Sequence, residues 1–147
     1  MIVRTDELPS LRGKVAMVDG GFDPLHAGHV DYFRAAAELG VPVLCNVSGD
    51  EYVSRKHPPL LPEYERVQVI DAIRYVDYVH LSHTTTAAVL SALAPRYYVK
   101  GADWRDRLPA DQVALCEAEG VEITYLDTVT NSSSRVVEEF MIRMGRR

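Results

Sequence analysis

The stretch Asp19-Gly20-Gly21-Phe22-Asp23-Pro24-Leu25-His26-Ala27-Gly28-His29 decides how this chain folds. The apolar run at 15–18 precedes it and predicts a buried strand. Residues 30–39 follow it with a helical pattern that ends at Gly40. The two glycines allow a sharp turn and leave room for a ligand close to the main chain. The stretch therefore predicts a strand–turn–helix unit with both histidines in the first turn of the helix.

The two histidines lie where a helix favours an anion, because its first N–H groups are unpaired and its dipole is positive there. Imidazole N–H groups of His26 and His29 would add donors, and Gly28 would let a phosphate approach the backbone. A single histidine at a helix start is usually incidental. Two histidines that flank a glycine directly after Gly-Gly-Phe-Asp are much harder to explain in that way. The pattern therefore predicts a phosphate site.

Length and composition predict one globular domain in a reducing compartment. The chain has 147 residues, 47% of them hydrophobic, and a formal net charge of −5. We expect a single domain over 1–147, with a lead-in at 1–13 and a core at 14–144. The lack of a basic block argues against a nucleic-acid partner, and no run has the length of a membrane span or the character of a signal peptide. Cys45 and Cys116 are expected to be buried core residues, which favours a cytoplasmic location.

Strand and helix patterns alternate along the chain, which predicts an α/β fold with a parallel sheet. We expect a single Rossmann-like domain in which helices cover both faces of a five-stranded parallel sheet. Ligands bind such sheets outside the carboxyl ends of the strands. The suggestive segments all follow predicted strands: the histidine motif, Ser48-Gly49-Asp50, Gly101-Ala102-Asp103 and the serines at 132–134. A last helix is expected to turn an apolar stripe inward, consisting of Val136, Val137, Phe140 and Met144.

Two further segments could reach a phosphate. Lys56 precedes Pro58-Pro59, which restrict its loop, and it could neutralise charge on a polyphosphate, although a solvated lysine is the commoner finding. Ser132-Ser133-Ser134 could cap the last helix or offer hydroxyl and N–H groups to a phosphate, and the two roles are compatible. The sequence contains neither a P-loop motif nor a Cys/His set with zinc spacing, which argues against a P-loop ATPase and a zinc site.

The segment His26-Ala27-Gly28-His29 resembles the His-x-Gly-His motif of the cytidylyltransferase-like nucleotidyltransferase superfamily. The resemblance extends over about 14–140. Residues 12–14 and 25–30 look most like the heptose-phosphate adenylyltransferases, whereas 64–66 and 73–77 look more like the glycerol-phosphate cytidylyltransferases. In this superfamily the motif binds the triphosphate of a nucleotide and stabilises the pentacoordinate phosphorus during transfer. The resemblance leaves both CTP and ATP open.

The resemblance also implies a set of site residues. The catalytic residues that we predict are His26, His29 and Lys56. The predicted nucleotide-binding set adds Gly20, Gly21, Phe22, Asp23, Gly28, Arg66, Arg74, Gly101, Asp103, Ser132, Ser133 and Ser134. Some members of the family carry an arginine shortly before the serine motif, and residues 127–130 contain none. Arg135, Arg66 and Arg74 are the candidate substitutes.

The implied reaction transfers CMP or AMP from CTP or ATP to a small phosphorylated acceptor and releases pyrophosphate. Sugar, alditol and amino-alcohol phosphates are all open as acceptors. Mg²⁺ is expected to arrive with the triphosphate, and Asp23 is a weak candidate to orient it. We also expect a homodimer that uses the surface 73–78. The alternatives are a non-catalytic nucleotide-binding or regulatory module on the same fold, and an adenylyltransferase of coenzyme A or NAD synthesis, which the segment 20–24 resembles.

Overall fold

The computed structural model describes residues 1–128 and 133–145. It contains six strands: β1 (Ile2–Val3), β2 (Ala16–Gly20), β3 (Val43–Ser48), β4 (Tyr78–Ser82), β5 (Tyr97–Gly101) and β6 (Glu122–Leu126). Every pair of neighbouring strands is parallel, and the sheet order is β1-β4-β3-β2-β5-β6. The alternation of strands and helices therefore produces the parallel α/β sheet that the sequence predicts.

Six α-helices connect and flank the strands: α1 (Ala27–Ala37), α2 (Asp50–Val53), α3 (Glu63–Asp71), α4 (Thr86–Leu93), α5 (Ala110–Glu119) and α6 (Ser133–Arg143). Short 3₁₀ helices form at Thr5–Leu11 and Ala102–Trp104. Local chemistry explains several boundaries. The Thr85 hydroxyl accepts a hydrogen bond from the Ala88 N–H and begins α4, and Gly120 adopts a φ of 70° that ends α5. None of the helices within the described ranges is long and apolar enough to cross a membrane.

The sheet separates two apolar cores, because successive side chains of a strand point to opposite faces. On one face Val18 packs with Phe33 of α1 and Ile70 of α3. On the other face Met17 packs with Leu8 of the first 3₁₀ helix and with Leu90 of α4. Helices therefore cover both faces, as predicted. Cys45 and Cys116 are free and buried, one in each core.

The structure corrects the predicted strand count. Within the segment 1–13, Ile2 and Val3 pair with Val79 and His80 of β4 and form a sixth strand, where five were predicted. Two residues are too few to show a strand periodicity, so this strand is visible only through its partner. The expectation for the last helix is also wrong in part, since Phe140 and Met144 are 58% and 56% exposed.

The connection order places one crevice at the centre of the carboxyl edge of the sheet. The chain runs from β2 outward to β3 and β4, and then returns to β5 on the other side of β2. Parallel sheets bind ligands where the strand order reverses in this way. The turn after β2, the segment after β3 and the segment after β5 therefore face one another across the crevice.

Candidate active site

A cavity of about 260 Å³ opens at the carboxyl ends of β2 and β5. Most of the residues predicted for nucleotide binding line it: Gly20, Gly21, Phe22, Asp23, His29, Lys56, Gly101, Asp103, Ser133 and Ser134. His26 and Gly28 lie beside it, in the first turn of α1. Ser132 lies outside the described residues. The sheet thus brings together segments that are more than 100 residues apart in the chain.

The two imidazoles cap α1, with His26 at the N-cap position and His29 at the third position of the helix. The Nδ1 atom of His26 accepts a hydrogen bond from the Gly28 N–H at 3.1 Å, and the Nδ1 atom of His29 accepts one from the His26 N–H at 3.2 Å. The rings stack with their centroids 3.8 Å apart. A neutral imidazole carries one proton, so a ring whose Nδ1 accepts must carry its hydrogen on Nε2. Both side chains are therefore fixed as Nε2–H donors.

His29 is a neutral donor at neutral pH. Burial, with a smaller contribution from neighbouring His26, lowers the pKa of His29 to about 3. Phe22 contributes to this burial through an edge-to-face contact with the His29 ring, with the centroids 5.0 Å apart. Phe22 itself adopts a φ of 53°, a left-handed conformation that is rare outside glycine and marks a constrained turn. The site therefore offers His29 as a directed hydrogen-bond donor and not as a cation.

Asp23 holds the proline-rich loop that follows Lys56. Its buried carboxylate accepts hydrogen bonds from the Leu60 N–H at 2.7 Å and the Leu61 N–H at 3.0 Å, one on each oxygen. This contact ties the proline-rich loop to the turn after β2, and Lys56 reaches the cavity wall just before that loop. Within the described ranges, no group of three or more His, Cys, Asp or Glu side chains could hold a metal ion. Main-chain N–H groups engage both oxygens of Asp23, and a role of Asp23 in orienting Mg²⁺ stays a prediction.

Arg66 is buried beneath the segments that follow β2 and β3. Its side chain is fully buried, and the guanidinium donates to the carbonyl oxygens of Gly21 and Ser48, each at 2.7 Å. It also donates to the Leu61 carbonyl and pairs with Asp50 at 2.7 Å. These contacts fasten the segments after β2 and β3 to each other and to the loop. Arg66 does not line the cavity.

The other two candidate arginines also lie away from the cavity lining. The guanidinium of Arg74 lies 6.0 Å from the centroid of the Tyr75 ring. Arg135 pairs with Glu139 along α6 at 3.1 Å. The structure therefore brings neither of them to the cavity, and Lys56 and Lys100 are the cationic side chains among its lining residues.

The sequence analysis missed an ion pair inside the cavity. Lys100 Nζ lies 3.0 Å from an oxygen of Asp19, and both side chains are about one-tenth exposed. Lys100 also lies 4.1 Å from the centroid of the Trp104 ring. Buried charges persist only when they are paired, so this pair in a ligand cavity indicates a functional role. The available signal was a charged residue near the end of each of two apolar strands.

The fold is a doubly wound parallel α/β sheet, and its cavity at the carboxyl edge adjoins the N-terminus of α1. The family model for cytidylyltransferase-like proteins matches residues 17–139, and the chain belongs to this family. The match confirms the resemblance that the histidine motif predicted.

Several curated relatives are similar to this chain in sequence. The bifunctional protein HldE of Coxiella burnetii is 32% identical over 131 residues, which cover 86% of this chain and 28% of that protein. HldE of Vibrio atlanticus is 42% identical over 111 residues, which cover 73% of this chain and 23% of that protein. The chain therefore spans about a quarter of the length of these relatives.

A solved structure shares the fold. The lipopolysaccharide core biosynthesis protein from Thermoplasma volcanium superimposes with a TM-score of 0.68 at 22% identity. The superposition covers 80% of this chain and 98% of that protein.

Proposed function

We propose that this protein transfers a nucleotidyl group, CMP or AMP, from CTP or ATP to a small phosphorylated acceptor and releases pyrophosphate. The observation that carries the proposal is the pair of imidazoles at the start of α1, each with Nδ1 engaged by the main chain. This arrangement leaves Nε2–H as the donor of each ring, beside a helix N-terminus that favours a polyphosphate. Membership in the cytidylyltransferase-like family supports the same reaction.

The proposed step is an in-line displacement at phosphorus. An oxygen of the acceptor phosphate forms a bond to the α-phosphorus, the bond from that phosphorus to the α–β bridging oxygen breaks, and pyrophosphate leaves with the electron pair. The acceptor is already an anion, so the step needs no strong base. His26 and His29 would donate to phosphate oxygens, and Lys56 would neutralise charge that develops on the triphosphate. Mg²⁺ would arrive with the nucleotide, because magnesium usually keeps several waters and few protein ligands.

Pyrophosphate release tests the proposal directly. CTP and ATP are each mixed with a panel of sugar, alditol and amino-alcohol phosphates, and pyrophosphate is measured together with the nucleotide-linked product. We expect turnover with one nucleotide and one class of acceptor. Nucleotide affinity without turnover on the whole panel would indicate a binding module, and turnover only with a pantetheine phosphate or a nicotinamide nucleotide would indicate coenzyme A or NAD synthesis.

We also propose that the protein is a homodimer that uses the surface 73–78. Tyr75 on this surface receives a hydrogen bond from Arg34 at 3.2 Å, and Arg74 lies over its ring, so apolar and charged groups alternate there. Such a mixture suits a two-fold contact, in which a patch must be complementary to itself. Sedimentation at micromolar concentration is expected to give twice the chain mass, and a monomer at all concentrations would contradict the dimer.

A further inference from the structure

A second cavity lies beside the first along the same edge of the sheet. It measures about 380 Å³ and opens at the carboxyl ends of β3 and β4. Tyr52 lines both cavities, and the neighbouring cations divide between them, with Arg55 in the second and Lys56 in the first. The wall is rich in uncharged polar side chains, namely Asn46, Ser48, Ser82, Thr84, Thr85 and Gln112. A ligand could therefore extend from the phosphate site into a chamber lined by hydroxyl and amide groups.

Asn46 and Ser82 are the buried members of this polar wall, and Asn46 is the less exposed of the two. It is 3% exposed, and its Oδ1 atom lies 2.8 Å from Nδ1 of His80, which is itself buried. An amide oxygen only accepts, so the imidazole donates from Nδ1. Nε2 of His80 then accepts a hydrogen bond from the Thr5 hydroxyl, 2.9 Å away. The contact with His80 therefore engages the oxygen end of the Asn46 amide and not its NH₂ end.

The Nδ2 group of Asn46 is left without a protein acceptor. Its oxygen is turned to His80, and within the described part of the chain no acceptor contacts the NH₂ group. Ser48 shares this property, since its hydroxyl makes no hydrogen bond within the described ranges, although it lines the same cavity. The NH₂ group is not among the enclosed polar atoms of the described residues, so it is open to the cavity and free to donate to an oxygen of a ligand there.

We infer that Asn46 is a specificity-determining residue that donates a hydrogen bond from Nδ2 to an uncharged oxygen of a polyhydroxylated acceptor phosphate. The hydroxyl-bearing body of the acceptor would occupy the second cavity. Its phosphate would lie at the junction, between Arg55 and Lys56, where it can face the nucleotide in the first cavity. The assignment rests on the proposed function for the role of this ligand as acceptor, and it narrows the acceptor class to sugar and polyol phosphates.

Three variants distinguish the loss of the Asn46 NH₂ donor from a loss of folding. Asn46→Asp keeps the size and the acceptor for His80 but replaces the NH₂ donor by an oxygen. Asn46→Ala removes the group without adding charge. Gln68→Glu is the matched control, because it makes the same change from amide to acid on an exposed residue of α3. Melting temperatures verify the fold of each variant, and Asn46→Asp keeps the test valid if the alanine variant is unstable.

The binding test uses no nucleotide, so it is independent of the proposed reaction. Glucose 1-phosphate, glycerol 3-phosphate and butyl phosphate are titrated calorimetrically into the full chain and its variants. We expect at least one of the two polyhydroxylated phosphates to bind tenfold or more tightly than butyl phosphate. We expect Asn46→Asp and Asn46→Ala to abolish that advantage, since each removes one hydrogen bond to the ligand. Gln68→Glu is expected to keep it.

NMR of the ¹⁵N-labelled protein observes the same Asn46 NH₂ group. The chain carries four side-chain amides, on Asn46, Gln68, Gln112 and Asn131, so the ¹⁵N amide pair that disappears in Asn46→Asp is assigned without ambiguity. This pair is expected to shift when the tighter of the two polyhydroxylated phosphates is added and to stay unchanged with butyl phosphate.

The results distinguish the two proposals. Equal binding of butyl phosphate, an advantage that survives both Asn46 variants, or no binding of either polyhydroxylated phosphate would overturn the assignment of Asn46. Binding that depends on Asn46, without pyrophosphate release from any nucleotide, would support the cavity assignment and contradict nucleotidyl transfer.

Discussion

At the scale of single residues, the two nitrogens of the His26 ring have different roles. Nδ1 caps α1, and Nε2–H is the proposed donor to the ligand. Nδ1 accepts the Gly28 N–H and satisfies one of the open donors of α1. The sequence analysis treated both histidines purely as ligand donors, and donors of that kind contribute little to stability. The structure shows that His26 is also the N-cap, so its removal should affect folding as well as activity.

His26→Ala is expected to lower the free energy of unfolding by about 1 kcal/mol, the usual contribution of an N-cap side chain. His26→Asn should restore most of this loss, because asparagine is a favoured N-cap residue. Urea denaturation of the two variants and the wild type measures the difference. If both variants are as stable as the wild type, the ring does not cap α1 in solution.

At the scale of elements, the loop that follows Lys56 is held by Asp23 from the turn after β2. Asp23→Asn replaces one carboxylate oxygen by an NH₂ group that faces an N–H donor, so one of the two bonds to Leu60 and Leu61 should be lost. We expect faster amide hydrogen exchange at 60–61 and a stability loss of about 1–3 kcal/mol.

The same loop is expected to respond to nucleotide. CTP or ATP should slow hydrogen exchange at 55–61 in the wild type, and Lys56→Ala should reduce both this protection and the turnover while the fold remains intact. Unchanged protection and unchanged activity in Lys56→Ala would make Lys56 a solvated surface residue. A changed Mg²⁺ requirement in Asp23→Asn, with normal exchange at 60–61, would instead favour a metal role for Asp23.

Sequence patterns located the elements well where the chain itself carries the signal. Gly120 ends α5 and Thr85 begins α4, because left-handed glycines and hydroxyl caps act through neighbouring residues. Strand β1 was missed because its two residues become a strand only by pairing with β4, which is 75 residues away in the chain. Local patterns carry no information on such a contact.

The position of the histidine motif could be predicted from the sequence, but the contacts between side chains on different strands could not. The histidine pair and the two glycines lie in one continuous segment of the chain, so their placement could be predicted from the sequence. The pairing of Asp19 with Lys100, and of Asn46 with His80, joins residues on neighbouring strands and depends on strand order. Arg66 illustrates the same limit, because nothing in its local sequence shows that its guanidinium is enclosed by backbone carbonyls.

At the scale of the whole molecule, the buried His29 makes stability depend on pH. The pKa of His29 is lowered to about 3 in the folded protein, against about 6.5 in an unfolded chain. Between these values the unfolded state binds a proton that the folded state does not, so stability falls as the pH falls from about 6.5 towards 3. The loss is at most about 5 kcal/mol, and above pH 6.5 this group contributes no pH dependence.

His29→Gln removes the titrating group and is expected to flatten the stability profile between pH 6.5 and 4, while it leaves the profile above pH 7 unchanged. Urea unfolding at a series of pH values measures this effect, and His57→Gln, which changes a histidine of the proline-rich loop, is the control. An equally steep profile in His29→Gln would mean that His29 is not held neutral in the folded protein.

The proposed reaction depends most directly on the Nε2–H group of His29, and the turnover number of His29 variants tests it. His29→Ala should lower kcat by about 10²–10³, or about 3–4 kcal/mol, because a preorganised donor to the reacting phosphates is lost. His29→Gln should lose less, since its terminal amide can place a donor near the position of Nε2. Both variants should stay folded, with at most the modest loss of melting temperature that follows from removing the bond between the His26 N–H and Nδ1. A near-normal kcat together with a large drop in melting temperature would make His29 a structural residue and contradict the proposed mechanism.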